Sequence, residues 1–238
     1  MRPTGSSSAL FDVGSHIRLW GVAAAGLALD LWSKWWAFEN LGPTDVREAI
    51  PSVLSFRLSV NTGALFGMGK GMVSVFIVAS FVALVFVFYY FASSSRNRKW
   101  LHLALSCILA GSLGNLYDRM FVIADQITLP AGSQTDRYLG KIVENDENSE
   151  YIKVGVAPYG APPYRRIRRA DVEIQQVGVV RDFMKFHTIA GWDAWPWVFN
   201  VADALLVIGV AVLLISLWGE RRPVRARVSK AASPEASS

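Results

Sequence analysis

Cysteine is almost absent from this chain: one residue, Cys107, occurs in 238 and lies inside an apolar run. A disulfide within the chain is therefore excluded, and a thiolate metal site is disfavoured. A free cysteine in such a run is typically a small packing residue.

Histidine is scarce as well. His16 and His102 lie at one end of the bundle of membrane helices predicted below, and His187 lies at the other end. We therefore expect no histidine metal cluster. No metal and no cofactor is expected.

Charge is also low, because only 18% of the residues are Asp, Glu, Lys or Arg and 52% are hydrophobic. The net charge of +5 is spread over short linkers, one loop and the C-terminal tail, and no nucleic-acid-binding motif is present. We therefore expect no nucleic-acid partner. The glycines of Asn61–Gly67 are not followed by Gly-Lys-Ser/Thr, which excludes a phosphate-binding loop of that type.

What the chain has instead is apolar runs that are long enough to cross a bilayer, which takes about 20 residues. The sequence predicts an α-helical integral membrane protein with four transmembrane helices, at about 16–38, 72–92, 100–118 and 197–218. The first run is too long for a cleaved signal peptide and holds Asp30 and Lys34, so we expect it to be retained. Residues 16–219 form the predicted membrane domain, and the polar ends 1–15 and 220–238 are predicted to be disordered.

Two polar segments between these runs show the alternation of β-strands. Residues 53–60 predict a strand, and residues 138–143 and 151–156 predict a hairpin around an acidic turn. We therefore predict a small β-rich element outside the cytoplasm, with an extended segment at about 121–177 inserted between the third and fourth helices.

The orientation follows from the basic flanks. The short linker at 93–99 and the C-terminal tail are rich in Lys and Arg, which places both termini in the cytoplasm. The basic residues of the longer loop carry less weight, because the rule weakens beyond about 60 residues. All nine tryptophans lie near a predicted helix end, as interfacial aromatic residues do.

Three of the predicted helices carry polar residues three or four positions apart near their outer ends, so each has one polar face at the same depth. These residues are Asp30, Ser33 and Lys34; Asn115, Asp118 and Arg119; and Asn200 and Asp203. Each group alone has a structural explanation: a neutralising pair, a helix-end anchor, or polar contacts between helices. Three groups at one depth favour a function, because intramembrane charges are costly.

Carboxylates are the reactive groups that remain. Two aspartates that share one proton can activate water and protonate a leaving amine. The same cluster would also suit a small transporter or proton-coupled carrier, or a non-catalytic assembly factor. A carrier is disfavoured because the sequence shows no inverted repeat.

Five motifs, in this order along the chain, resemble those of lipoprotein signal peptidase, the bacterial signal peptidase II family of aspartic peptidases (family A8). The resemblance covers residues 16–120 and 178–218, and the ordered set is far more specific than any one motif. The motifs are Asp30-Leu-Trp-Ser33-Lys34, Asn61-Thr-Gly63-Ala-Leu-Phe66-Gly67, Gly111-Ser-Leu-Gly114-Asn115-Leu-Tyr-Asp118-Arg119, Val180-Arg181-Asp182-Phe183 and Phe199-Asn200-Val-Ala202-Asp203.

The resemblance implies an aspartic endopeptidase of the inner membrane, with its active site near the periplasmic face. Its substrates would be lipid-modified prolipoproteins, cleaved just before the diacylglyceryl cysteine. Membrane lipids and globomycin-type inhibitors are the other implied partners. The catalytic pair falls on Asp182 and Asp203, the first of which is identified by the motif alone. The surrounding shell falls on Asp30, Lys34, Asn61, Gly63, Asn115, Asp118, Arg119 and Asn200.

The chain departs from the family pattern at three places. The segment at about 121–177 is longer than usual, Arg181 stands where an aliphatic residue is common, and Ala204 replaces a serine. None of these departures removes a motif residue.

Overall fold

The computed structural model describes residues 8–62, 73–129, 137–146, 149–187 and 195–220. Within these ranges four long helices coincide with the four apolar runs. They are α1 (Val13–Asn40), α2 (Val73–Ser93), α3 (Lys99–Phe121) and α4 (Val201–Glu220). The fourth helix begins at Val201 and not at 197, so Asn200 lies before the helix and not inside it.

Three of these helices meet the length and apolarity needed to cross a membrane, as judged over the described part of the chain. The segments are Ser74–Ser93, Lys99–Phe121 and Val201–Trp218. Helix α1 has 28 residues and is about 42 Å long, but it carries Arg18, Asp30 and Lys34 along that length. Membrane crossing is thus supported for three runs, and a fourth crossing by α1 stays a prediction.

The N-terminal segment is more ordered than its polar composition predicts. Ser8 caps a short 3-10 helix at Ala9–Phe11, and the Ala9 amide donates to the Ser94 carbonyl at 3.0 Å. Ala9 is fully buried. The prediction of disorder over 1–15 is therefore wrong for residues 8–15, because one buried alanine anchors them. Residues 1–7 and 221–238 lie outside the described ranges.

Helix α3 is the centre of the bundle, and it packs against α1, α2 and α4. Most of α3 is buried, whereas α2 and α4 expose most of their apolar surface. Leu101, Leu105 and Leu109 of α3 form the buried core together with Leu19 of α1 and Leu213 of α4. An apolar exposed surface on α2 and α4 is what lipid-facing helices show.

Glycines allow α3 and α4 to approach closely. A Cβ at Gly111 of α3 would collide with the Ala202 carbonyl oxygen and with the Leu206 side chain of α4. A Cβ at Gly209 of α4 would in turn meet the Ala104 carbonyl oxygen of α3. Small residues at a helix crossing are a common means of bringing two backbones together in membrane proteins.

Eight strands in the described residues form two antiparallel sheets. The first has the order β1-β2-β8 and the second the order β6-β5-β4-β3-β7. The strands lie where the alternation predicts them at 53–60, 138–143 and 151–156. They are β1 (Arg47–Ile50), β2 (Leu54–Asn61), β3 (Ile123–Thr128), β4 (Arg137–Glu144), β5 (Tyr151–Val156), β6 (Ala161–Arg168), β7 (Glu173–Gly178) and β8 (Val180–Phe186).

The three-stranded sheet connects to the helices through β8. Phe183 of β8 packs with Ala37 and Leu41 at the end of α1. The Met184 amide donates to the Phe199 carbonyl at 2.8 Å, and the Phe199 amide donates back to the Met184 carbonyl at 2.8 Å. These bonds place the segment that leads into α4 beside β8.

All five strands of the second sheet come from the inserted segment, between Ile123 and Gly178. Its first and last strands, β3 and β7, are paired with each other along their length. The Val179 amide donates to the Val122 carbonyl at 3.0 Å, directly beyond that pairing. The chain therefore enters the sheet and returns from it at neighbouring positions, beside the end of α3.

We expect Gly111→Ala to lower the thermal stability of the purified protein in detergent. The added methyl group would press against the α4 backbone, and overpacking of this kind costs about 1–3 kcal/mol. Gly21→Ala is the matched control, because Gly21 lies in α1 with no atom within 4 Å of its would-be Cβ. Equal unfolding midpoints for the two variants would contradict the close α3–α4 packing.

Candidate functional site

Asp182 and Asp203 lie at one site because a single residue binds both. Nδ2 of Asn200 donates to Oδ1 of Asp182 at 2.6 Å. The backbone amide of Asn200 donates to Oδ2 of Asp203 at 3.2 Å. The sequence-predicted pair is thus brought together from a strand, β8, and from the first turn of α4.

Asn200 and Asp203 form a reciprocal cap at the start of α4. Oδ1 of Asn200 accepts the Asp203 amide at 2.9 Å, while Asp203 accepts the Asn200 amide. This is the geometry of a capping box, in which the residue before the helix and the third helical residue bind each other. The expectation that both lie on one helical face is therefore wrong. Their three-residue spacing reflects capping.

A further acceptor for the amides at the helix terminus comes from another helix. Oδ1 of Asp30 on α1 accepts the Ala202 amide at 2.8 Å. The first amides of a helix have no partner within the helix, and carboxylates are favoured near its positive N-terminal end. The start of α4 is therefore held by Asp30 and Asn200 in the position that presents Asp203.

Asn115 of α3 orients the second aspartate. Its Nδ2 donates to Oδ1 of Asp203 at 2.8 Å. Its Oδ1 accepts both Nδ2 of Asn200 at 3.1 Å and Nζ of Lys34 at 3.2 Å. Two donors at the oxygen fix which end of the amide faces Asp203.

A fully buried ion cluster lies behind these amides. Nζ of Lys34 is 2.8 Å from Oδ2 of Asp30 and 3.4 Å from Oδ2 of Asp118, and all three side chains have no exposed surface. The neutralising (i, i+4) pair that the sequence predicts is therefore present, and it also extends to α3. Buried charges of this kind are tolerated only when they are paired and hydrogen-bonded.

The other predicted shell residues border this cluster. Nδ2 of Asn61, at the end of β2, donates to Oδ2 of Asp182 at 3.4 Å. Nη1 of Arg119 donates to the Asn115 carbonyl at 3.3 Å, and its guanidinium lies 5.0 Å from the centroid of the Phe76 ring. Gly63 lies outside the described residues. No group of three His, Cys, Asp or Glu residues in the described ranges is arranged to hold a metal ion.

Asp182 is nearly inaccessible, with 2% of its surface exposed. Burial is the main cause that raises the pKa of Asp182 to about 8, and the nearby Asp203 carboxylate raises it as well. The hydrogen bonds from Asn200 and Asn61 act in the opposite direction, as does the Lys34 charge. Burial therefore favours the protonated form of Asp182 at neutral pH.

Composition alone predicts that Asp182 is a solvated loop carboxylate. The structure instead shows a run of five buried residues from Val179 to Phe183. The local sequence does not reveal this burial, so the motif was the only signal for Asp182. Charged residues are almost never fully buried without a partner, and Asp182 has its partners in Asn200 and Asn61.

We expect Lys34→Met to destabilise the protein by about 3–5 kcal/mol, because it leaves two buried carboxylates with too few donors. Thermal unfolding in detergent would measure this effect. Arg168→Met is the control, since Arg168 pairs with Glu150 at 3.7 Å on the exposed surface and such pairs contribute about 0–1 kcal/mol. An unfolding midpoint for Lys34→Met equal to that of the control would show that the cluster does not depend on its ammonium group.

Residues 22–219 match the family model described as signal peptidase (SPase) II. A lipoprotein signal peptidase of Rhodopirellula baltica is 31% identical over 223 residues, which cover 90% of this chain and 77% of the relative. One from Streptococcus thermophilus is 24% identical over 194 residues, covering 82% and 88% of the two chains.

The fold is also similar to solved structures described as bacterial membrane enzymes. One superposes with a TM-score of 0.59 at 20% identity, covering 92% of this chain and 94% of the other. A second has a TM-score of 0.55 at 22% identity, covering 89% and 96%. At this identity the likeness concerns the fold.

Proposed function

Because the chain belongs to the signal peptidase II family, we propose that Asp182 and Asp203 are its catalytic pair. The chain is an aspartic endopeptidase that removes signal peptides from prolipoproteins, and it is a multi-pass bacterial membrane protein. The observation that carries the assignment of the pair is the contact of Asn200 with both carboxyl groups. The alternative of a transporter or proton-coupled carrier has no support from the comparisons.

The substrate is a prolipoprotein whose future N-terminal cysteine carries diacylglycerol, and the bond cleaved is the one just before that cysteine. The exposed apolar faces of α2 and α4 support this substrate, since they leave room for acyl chains beside the bundle. Val78, Val82 and Val85 of α2 are exposed, as are Val207 and Leu214 of α4.

In the mechanism, Asp182 is the acid and Asp203 is the base. The protonated Asp182 hydrogen-bonds to the scissile carbonyl oxygen, while Asp203 takes a proton from the attacking water. The water oxygen bonds to the carbonyl carbon, and a proton then passes to the leaving nitrogen as the peptide bond breaks. Asn115 and the Asn200 amide both donate to the Asp203 carboxylate, whereas burial favours the protonated form of Asp182, so Asp203 takes the role of base.

The protein lies in the inner membrane with α1 as its fourth crossing, both termini in the cytoplasm and the pair near the periplasmic face. Basic residues in the linker at 93–99 and in the tail support this orientation. Segment 121–177 is then an insertion on the periplasmic side. The membrane domain covers residues 16–219.

We expect Asp182→Asn and Asp203→Asn each to lower the rate of cleavage of a diacylglyceryl-modified precursor by about 10²–10⁴-fold, because each substitution removes a proton-transfer group. The measurement is cleavage by purified protein in detergent, with membrane insertion of each variant checked. Asp125→Asn is the matched control, since Asp125 is as buried as Asp182 but lies on β3. Normal processing by either active-site variant would exclude the pair.

The same assay tests the substrate and the inhibitor. The chain should cleave the lipidated precursor and leave an unmodified precursor intact, and globomycin should block cleavage. Equal cleavage of both precursors would contradict the lipid requirement but not the catalytic pair.

We expect the cleavage rate to fall as the pH rises through about 8. The raised pKa keeps Asp182 protonated at neutral pH, and above about 8 the loss of that proton leaves two carboxylates and no acid. Measuring kcat/KM from pH 6 to 9.5 tests this, with thermal unfolding followed over the same range to exclude denaturation. A rate that stays constant or increases up to pH 9.5 would show that Asp182 is not the acid.

A further inference from the structure

Arg181 is the residue directly before Asp182 on β8, and only 6% of it is exposed. Three of its groups donate to Asp118 of α3: the backbone amide at 2.9 Å, Nε at 3.3 Å and Nη2 at 2.7 Å. Both the backbone and the side chain of this one position are therefore fastened to α3. The strand that carries Asp182 is held to the central helix at the adjacent residue.

Arg181 also balances the charge of the buried cluster. Without it, Lys34 would be the cation shared by Asp30 and Asp118. With it, two carboxylates face two cations, and the planar guanidinium engages both oxygens of Asp118. A lysine at this position would keep the positive charge but could not bind both oxygens of Asp118 at once.

The effect of this pairing reaches Asp203 through Lys34. Arg181 binds Asp118, while Nζ of Lys34 lies closer to Asp30 than to Asp118 and also donates to Oδ1 of Asn115. That bond orients the Asn115 amide so that its Nδ2 faces Asp203 at 2.8 Å. Arg181 is thus linked to both catalytic aspartates: it is adjacent to Asp182 on β8, and it is connected to Asp203 through Asp118, Lys34 and Asn115.

The remaining Arg181 donor, Nη1, binds the hydroxyl oxygen of Tyr159 at 2.9 Å. Tyr159 lies in the turn between β5 and β6 of the five-stranded sheet, and its ring packs edge-on against Phe38 of α1. It is 56% exposed. Through this hydroxyl group the sheet contacts the network behind the catalytic pair.

We propose that Arg181 is a positioning residue for the cleavage reaction, and that Tyr159 makes the five-stranded sheet part of the support of the active site. The inference rests on the proposed function, because it needs Asp182 and Asp203 to be the reacting pair. Arg181 touches neither reacting carboxyl group and acts through Asp118, Lys34 and Asn115. Its loss therefore lowers kcat and leaves KM unchanged.

The test measures kcat and KM with a diacylglyceryl precursor for the wild type, Arg181→Leu, Arg181→Lys and Tyr159→Phe. Misplacement of catalytic groups by a fraction of an ångström to one ångström costs up to about 100-fold. We expect about a 10- to 100-fold loss of kcat for Arg181→Leu, a smaller loss for Arg181→Lys and a loss of a few-fold for Tyr159→Phe. Tyr164→Phe is the matched control, because Tyr164 is a half-exposed tyrosine on β6 that contacts Lys153.

A double variant isolates the path of the effect. If Tyr159 acts through Arg181, Tyr159→Phe causes no further loss in the Arg181→Leu background, whereas independent losses would overturn the link. An unchanged kcat per folded molecule in Arg181→Lys and Tyr159→Phe, with an active wild type, would overturn the inference alone. If Arg181→Leu does not fold, the kcat values of Arg181→Lys and Tyr159→Phe alone test the positioning role of Arg181. An inactive wild type would instead overturn the proposed function.

Discussion

The site depends on the ammonium group of Lys34, which is buried between the carboxylates of Asp30 and Asp118. Four aspartates lie in or beside this region, and charge of one sign cannot accumulate in a buried site without compensation. Lys34 offsets part of that charge and also fixes the amide of Asn115. The same group thus neutralises the cluster and orients a ligand of Asp203, so stability and catalytic geometry depend on one side chain.

The sequence reveals those parts of the site whose spacing is local. The (i, i+4) relation of Asp30 and Lys34 and the apolar runs of the helices follow from helical periodicity. The role of Asn200 does not, because a three-residue spacing fits both a helical face and a capping box, and only the position of the helix start separates them. The motif resemblance identified Asp182, whereas its burial depends on pairing with β2, more than 120 residues away in the chain.

Long-range partners explain the rest of what the sequence leaves open. Arg181 stands out as a departure from the family pattern, but its partner Asp118 is 63 residues away and Tyr159 is 22 residues away. Alternation predicts the β4–β5 hairpin, but no local rule gives the strand order β6-β5-β4-β3-β7. The close α3–α4 approach at Gly111 likewise became visible only with both backbones in place. That approach brings Asn115 within reach of Asp203.

The pairing of β3 with β7 brings the two ends of the inserted segment side by side where it joins the bundle, between Val122 and Val179. A segment whose two ends are neighbours is topologically separable from the chain around it. It can grow, shrink or be replaced during evolution without altering the distance between α3 and β8. The catalytic geometry and the inserted sheet can therefore diverge at different rates. The contact between Tyr159 and Arg181 is a place where a substitution in the sheet would affect the active site.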